Sequence, residues 1–308
     1  MNAISPIKLE RIKLFLALSR TPHGLLDMAT PAFAVLIYLQ GFPSSRIILI
    51  GLLTAFAGYT AVYAFNDIID YRSDRKRFGQ TQQETVGYLD SIMARHPMAQ
   101  GLLSFKEGIV WAMGWSAVAL VGAYLLNPVC VLIFLAGAGL ETVYCLLWRV
   151  SPLRAIVSGF VKNMGALAAI FAVDPHPDPI FMIVLFLFLF FWEIGGQNIP
   201  ADWTDIEEDR RFKAKTIPVR LGEEKSAALA LGCIGIAVFL GMTIFLLSYP
   251  TFKYIAAGPL VLLIGFLLLL QPAFKLYQTK QRETAMALFN KASYFPFCML
   301  CTTLIFIF

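Results

Sequence analysis

Nine apolar runs, each long enough to cross a bilayer as a helix, limit what this chain can fold into. They lie near 22–40, 46–66, 108–126, 129–148, 155–173, 179–200, 226–248, 254–271 and 287–308. A spanning helix needs roughly 20 apolar residues. In hydrocarbon only helices and closed barrels satisfy their own backbone, and these runs are too long and too uniformly apolar for barrel strands. The expected fold is all-α: a polytopic membrane protein of about nine transmembrane helices in a bundle, with a cytoplasm-facing cavity. With 58% hydrophobic residues, the chain holds more apolar surface than a soluble domain of its length needs.

The placement of charge says more than the net value of +5. With the N-terminus cytoplasmic, nearly every Lys and Arg falls in the N-terminal segment or after the second, fourth, sixth and eighth runs. Arg46 and Lys253 are the exceptions, and Lys162 lies inside a run. That is the positive-inside asymmetry. It predicts a multi-pass protein of the cell membrane with an odd number of spans, and it leaves no need to invoke a nucleic-acid partner. The stretch IKLERIKLFLALSR (7–20) reads as an interfacial amphipathic helix within a segment 1–21 and not as a cleavable signal peptide. A single integral domain over 1–308 is expected, with polar segments 75–107 and 202–225 as cytoplasmic loops capping the cavity. The five cysteines sit in or beside apolar runs and read as small hydrophobes, including the C-x-x-C of Cys298 and Cys301. His23, His96 and His176 show no metal-ligand spacing, so neither zinc nor haem is expected.

Two acidic stretches break the apolar pattern: NDIIDYRSDRKR at 66–77 and DWTDIEEDRRF at 202–212. Both contain D-x2-D-x3-D-R-[KR], which suggests an internal repeat or two half-sites for one ligand. On a helix, positions 0, 3 and 7 fall within roughly 60° of one another, so Asp67, Asp70 and Asp74 share a face, as do Asp202, Asp205 and Asp209. Asn66 and Asn198 neighbour these faces. If the faces meet, up to six carboxylates point into one cavity and repel. A divalent cation resolves that, and all-oxygen ligands favour Mg²⁺ or Ca²⁺ over zinc. With Arg72, Arg75, Arg210, Arg211, Lys213, Lys215 and Arg220 nearby, a carboxylate–Mg²⁺ clamp suits a diphosphate leaving group. One such triplet is most simply a solvated helix end; two at equivalent ends of spans are not. Inside the runs lie Glu141, Tyr144, Lys162, Asn163, Glu193 and Gln197, and intramembrane ionisable groups are functional candidates by default. Tyr63, Phe65, Tyr144 and Trp192 supply aromatic faces suited to a carbocation.

With these residues in view, the sequence resembles the UbiA superfamily of intramembrane prenyltransferases. NDIIDYRSD (66–74) matches N-D-x-x-D-x-x-x-D, DWTDIEED (202–209) matches D-x-x-D-x-x-x-D, and KTIPVRLG (215–222) and RHPMAQGLLS (95–104) resemble flanking family segments. The resemblance implies an isoprenyl diphosphate donor held through Mg²⁺, ionisation of the allylic C–O bond, and attack by an acceptor. It implies that Asn66, Asp67, Asp70, Asp74, Asp202, Asp205 and Asp209 bind metal. Lys162, Lys215, Arg72 and Arg210 would hold the diphosphate. Asp67, Asp70, Asp202, Asp205 and Tyr144 would be the catalytic set. An aromatic acceptor, hydroxybenzoate- or naphthoate-like, suits an apolar cavity with few polar groups. Glycerol-phosphate lipids, haem and chlorophyll precursors are the alternatives within the family. Ala201, Lys213, His96 and a linker from Asp74 to Arg95 about a dozen residues longer than usual depart from the pattern. Residues 78–93 are expected to close over the diphosphate. Two other classes fit less well: a CDP-alcohol phosphotransferase, whose D-G-x-x-A-R element is missing, and a cation transporter, which usually places its site at mid-membrane.

Overall fold

A computed structural model describes residues 6–78, 93–248 and 252–307; they form helices joined by short turns, with no strand among them. An N-terminal helix α1 (Pro6–Leu18) leads into α2 (Thr21–Asp27) and α3 (Ala29–Leu39), which together make the first span. The long α4 (Ser45–Phe78) is followed by α5 (Phe105–Leu126), α6 (Pro128–Leu146), α7 (Arg154–Val173) and α8 (Pro179–Trp192). A π-helical stretch, Glu193–Asn198, continues α8 into two short helices, α9 (Ile199–Thr204) and α10 (Ile206–Arg211). Then come α11 (Ile217–Ser248), α12 (Phe252–Gly265), a second π-helical stretch over Phe266–Leu270, α13 (Gln271–Thr279) and α14 (Arg282–Ile307).

Local chemistry explains most of the boundaries. Ser104 and Glu107 form a reciprocal capping box at the start of α5. Asn127 and Asp178 cap α6 and α8, each followed by a proline in the first turn. Gly222 breaks the early part of α11 with φ of 77°, a left-handed conformation that glycine adopts without steric cost.

Eight helical stretches among the described residues are long and apolar enough to cross a bilayer, and they correspond to the first eight apolar runs. The ninth run forms the 26-residue α14, but that helix is not among the eight. Asn290, Lys291, Ser293, Thr302 and Thr303 lower its apolarity, and it packs against α3, α9, α12 and α13 instead of facing lipid alone. Two loop assignments also change. Residues 202–225 are largely helical, comprising α9, α10 and the start of α11, because buried Trp203, Ile206 and Ile217 pull the segment onto the bundle. Residues 75–78 still belong to α4, and 79–92, nearly all of the expected closing segment, lie outside the described residues.

α4 runs beside α5, α6 beside α7, and α8 beside α11. The main core joins α3, α7, α8, α11 and α14, with Phe33, Phe188, Phe245 and Phe295 in ring contact at 6.0–6.2 Å. Leu49, Val110, Leu132 and Phe239 point outward, each about two-thirds exposed or more, as a lipid-facing surface requires. At 34 residues, α4 is about 51 Å long, well beyond the ~30 Å hydrocarbon layer. Its polar end, Asn66–Arg77, therefore emerges at one rim of the bundle.

The π-helical stretch EIGGQN is buried throughout. A Cβ on Gly195 would stand 2.7 Å from the Ala230 carbonyl oxygen and 2.8 Å from Cys233 Cβ. Only glycine lets α11 approach this closely. Gly195→Val is expected to cost about 1–3 kcal/mol through overpacking, whereas Gly232→Ala, which meets nothing within 4 Å, should be neutral. Melting curves of the two purified variants check this.

Candidate active site

A cavity of about 660 Å³ runs through the bundle between α2–α7 and the π-helical stretch after α8. On α4 its lining extends from Ile47 to Arg77, about 45 Å of helix. The far end is apolar, with Leu52, Ala55, Phe134, Ala168 and Ala172. The near end holds the acidic motifs.

Five of the six motif aspartates line the cavity: Asp70, Asp74, Asp202, Asp205 and Asp209. The two triplets meet, but they are built differently. The first lies on one continuous helix. The second is broken at Asp205, whose φ/ψ of −107°/12° separates α9 from α10. Asp67 does not reach the cavity. It is 4% exposed and held by Arg20 at 3.3 Å and by His96 Nδ1 at 3.0 Å.

Arg77 joins the two halves. Its Nε donates to Glu208 Oε1 at 2.7 Å, and its terminal nitrogens lie 3.7 Å from Asp74 Oδ1 and 3.7 Å from Asp209 Oδ1. Its guanidinium sits 4.7 Å above the Trp148 ring. Trp148 Nε1 also donates to Asp209 Oδ1 at 3.2 Å, and the Thr216 hydroxyl donates to Asp209 Oδ2 at 3.0 Å. Burial pushes the Asp209 carboxyl up to about 6 despite these donors. Arg95 donates to Asp205 Oδ2 at 3.2 Å. Arg154 lies 3.9 Å from Asp202 Oδ1 and 4.2 Å over the Tyr144 ring. Two buried oxygens here, Asp202 Oδ2 and Asn198 Oδ1, accept no hydrogen bond among the described residues.

Of the basic residues expected at a diphosphate, three stand elsewhere. Arg72 and Arg210 are exposed and do not line the cavity. Arg72 is two residues from Asp70, about 200° around the helix, and Arg210 pairs with Glu207 on the surface at 3.0 Å. Lys215 is half-buried outside the lining, its backbone N–H donating to the Trp148 carbonyl at 2.8 Å. Lys162 does line the cavity, but two helical turns past Arg154, where it binds Asp27 Oδ1 at 2.6 Å and faces Glu193 Oε2 at 3.9 Å. The cations at the rim are instead Arg77, Arg95 and Arg154. The first was open to a reading of charges near the motifs; Arg95 and Arg154 are brought in by the fold.

The middle layer is a polar network. Asn66 donates to Glu141 Oε1 at 2.5 Å, Asn198 to the Tyr144 hydroxyl at 3.3 Å, Ser158 to Glu193 Oε1 at 2.6 Å and Tyr63 to Asp27 Oδ2 at 2.5 Å. Gln197 donates to the Phe289 carbonyl at 3.2 Å. Asp27 had one legible signal, a carboxylate inside an apolar run. Tyr144 lies in the cavity with one ring face covered by Arg154. Trp192 is buried beneath Lys162, and Phe65 points away from the cavity. His96, without metal-ligand spacing in the sequence, sits between Asp67 and Asp74 at 3.0 and 3.1 Å.

The bundle and its acidic rim mark out a membrane-protein architecture with one candidate site, and comparison with known proteins supplies the class. Residues 28–297 match the UbiA prenyltransferase family. The chain belongs to that family and is a prenyltransferase. It is 22% identical over 273 residues to the digeranylgeranylglyceryl phosphate synthase of Thermococcus kodakarensis, covering 89% of this chain and 90% of that one. It is 24% identical over 247 residues to the 4-hydroxybenzoate octaprenyltransferase of Idiomarina loihiensis, covering 80% and 82%. Among solved structures, a UbiA homologue from Archaeoglobus fulgidus bound to DMAPP and Mg²⁺ shares the fold with a TM-score of 0.68 at 19% identity, covering 96% of this chain and 99% of that one.

Arg77→Ala removes a cation shared by Asp74, Glu208 and Asp209. A loss of about 3 kcal/mol of stability is expected, the lower end for breaking a buried pair, and Arg77→Lys should restore little, since an ammonium cannot span three acceptors. Arg210→Ala should leave the melting temperature unchanged. Thermal unfolding in detergent measures all three.

Proposed function

We propose that this chain transfers an isoprenyl group from an allylic diphosphate to a small aromatic acceptor, with Mg²⁺ held between the two acidic triplets. The observation that carries the reading is the convergence of triplets from distant parts of the chain on one end of a long apolar cavity. The donor set fits a hard cation: it is almost all oxygen, and Asp202 Oδ2 and Asn198 Oδ1 are buried acceptors without donors. Asn66 donates its N–H to Glu141, which leaves its carbonyl oxygen for the ion. Bound Mg²⁺ would neutralise the diphosphate and stabilise the charge that develops as it departs.

The chain's own groups do the rest. Arg77, Arg95 and Arg154 would bind and orient phosphate oxygens, taking the role that the family resemblance implied for Arg72, Arg210 and Lys215. The apolar lining past Tyr63 holds the isoprenoid tail and excludes water from the reacting carbon. Lys162, held by Asp27 and facing Glu193, would donate to the hydroxyl oxygen of a phenol at mid-depth, near the stacked rings of His23 and Phe289, 5.7 Å apart. The acidic rim and the basic ends of α4, α10 and α11 lie on the cytoplasmic side, with α1 on the membrane surface, as the charge asymmetry requires.

A glycerol-phosphate acceptor is the second reading, favoured by the long match to the Thermococcus kodakarensis enzyme. The deciding assay supplies purified protein with geranylgeranyl diphosphate, Mg²⁺, and either 4-hydroxybenzoate or geranylgeranylglyceryl phosphate. Product only with the first supports the aromatic reading; product only with the second replaces it.

Asp202→Ala should lower turnover by at least about a hundredfold, given the usual size of transition-state charge stabilisation, with the melting curve retained. Full turnover in that variant would sink the metal assignment. Ala55→Phe, which narrows the apolar half of the cavity, should shorten the longest donor accepted, read from product masses in a mixed-donor assay.

A further inference from the structure

His96 stands where two carboxylate oxygens converge. Its Nδ1 is 3.0 Å from Asp67 Oδ1 and 3.1 Å from Asp74 Oδ2, and the three donor atoms all lie within 4.8 Å of one another. Asp67 is 4% and Asp74 5% exposed. One Nδ1–H can serve one carboxylate, and the bond with acceptable geometry goes to Asp67. Asp74 Oδ2 is then a buried carboxylate oxygen that accepts no hydrogen bond among the described residues. Its outer oxygen faces Arg77 at 3.7 Å; Arg20 reaches Asp67 at 3.3 Å on Oδ1, the oxygen that also faces His96. Asp74 is thus oriented through its outer oxygen, as metal ligands usually are.

The spacing has a chemical meaning. Adjacent ligands of an octahedral ion at about 2.1 Å stand about 3.0 Å apart, the separation of Nδ1 from both oxygens. With the proton on the other ring nitrogen, Nδ1 is an acceptor as well. Two carboxylate oxygens and a ring nitrogen then face one another as acceptors, an arrangement that a cation satisfies and a single hydrogen bond does not. His96 is held there by its own backbone, with φ of 51° and its carbonyl accepting from the Gln100 N–H at 3.2 Å.

We propose that Asp67, Asp74 and His96 form a mixed oxygen–nitrogen metal position within the acidic rim, one that binds a first-row transition ion such as Mn²⁺ more tightly than Mg²⁺. This rests on the reading of the rim as a metal–diphosphate site and refines it. An imidazole ligand suits transition ions, whose affinities rise along the first row, and adds little for Mg²⁺, which prefers oxygen. It gives Asp67, the one motif aspartate outside the cavity lining, a chemical task. It also makes the departure at position 96 a change in metal preference.

The test uses the full-length protein in detergent, loaded with Mn²⁺ alone. Pulsed electron paramagnetic resonance should show ¹⁴N coupling to the bound ion. The coupling should vanish in His96→Gln and persist in His176→Ala, with melting curves confirming that both variants fold. Mn²⁺ affinity measured by titration should fall at least about tenfold in His96→Gln, and Mg²⁺ affinity should change far less. Bound Mn²⁺ without nitrogen coupling in the unaltered protein would overturn the His96 assignment and leave the all-oxygen rim intact. Absence of any Mn²⁺ or Mg²⁺ binding would overturn the metal reading of the rim itself, and this proposal with it.

Discussion

Like charge gathered at the edge of an apolar cavity is the constraint to which the rest of this structure answers. Two carboxylates about 6 Å apart repel by about 3 kcal/mol at an effective dielectric of 20, and five motif aspartates line one rim. The fold meets this by inserting cations between them. Arg77 spans the two triplets, Arg95 and Arg154 take one aspartate each of the second, and Arg20 and His96 hold Asp67. These cations come from α4, α7, the turn after α1 and the segment before α5. The rim therefore exists only when the whole bundle is assembled, and its charge couples the ends of helices far apart in sequence.

A second charge group lies deeper. Asp27, Lys162 and Glu193 come from α2, α7 and the π-helical stretch, with Tyr63 and Ser158 completing their hydrogen bonds. Isolated charges at this depth would be costly; paired, they keep one polar belt between the acidic rim and the apolar half. The π-helical stretch makes this possible. Its extra width per turn turns Glu193, Gln197 and Asn198 inward together, and π-helical turns are commonly found at functional sites for this reason. The cavity is thus graded along its length: charged, then polar and aromatic, then aliphatic. A diphosphate-headed lipid has the same gradient.

Much of this was legible in the chain. Helix type followed from apolar run length, because hydrocarbon permits few alternatives, and eight spans appear where eight of the runs lie. The two triplets were legible as one site because a recurring D-x2-D-x3-D-R-[KR] at two span ends is hard to explain as solvated surface. Less was legible where the partner was another element. The sequence offers nine basic residues in and after the motifs, Arg77 among them, and three-dimensional structure leaves Arg72 and Arg210 outside and Lys215 off the cavity wall. It keeps Arg77 and brings in Arg95 and Arg154. Helical angle alone could have set Arg72 aside, but nothing local places Arg95 on Asp205.

What the sequence determined by itself is the medium and the local geometry: a helical membrane protein, one aspartate face on α4, and a polar rim where α4 outruns the bilayer. These depend on hydropathy and on a fixed advance per residue, both of which are properties of short windows. Tertiary structure alone decided that the second triplet breaks at Asp205, that Lys162 answers to Asp27, and that His96 falls between Asp67 and Asp74. Each of these is a contact between residues tens of positions or more apart, or a backbone break forced by packing. Such contacts are set by how close neighbouring helices come, which here turns on single glycines such as Gly195, and no window of sequence contains that distance.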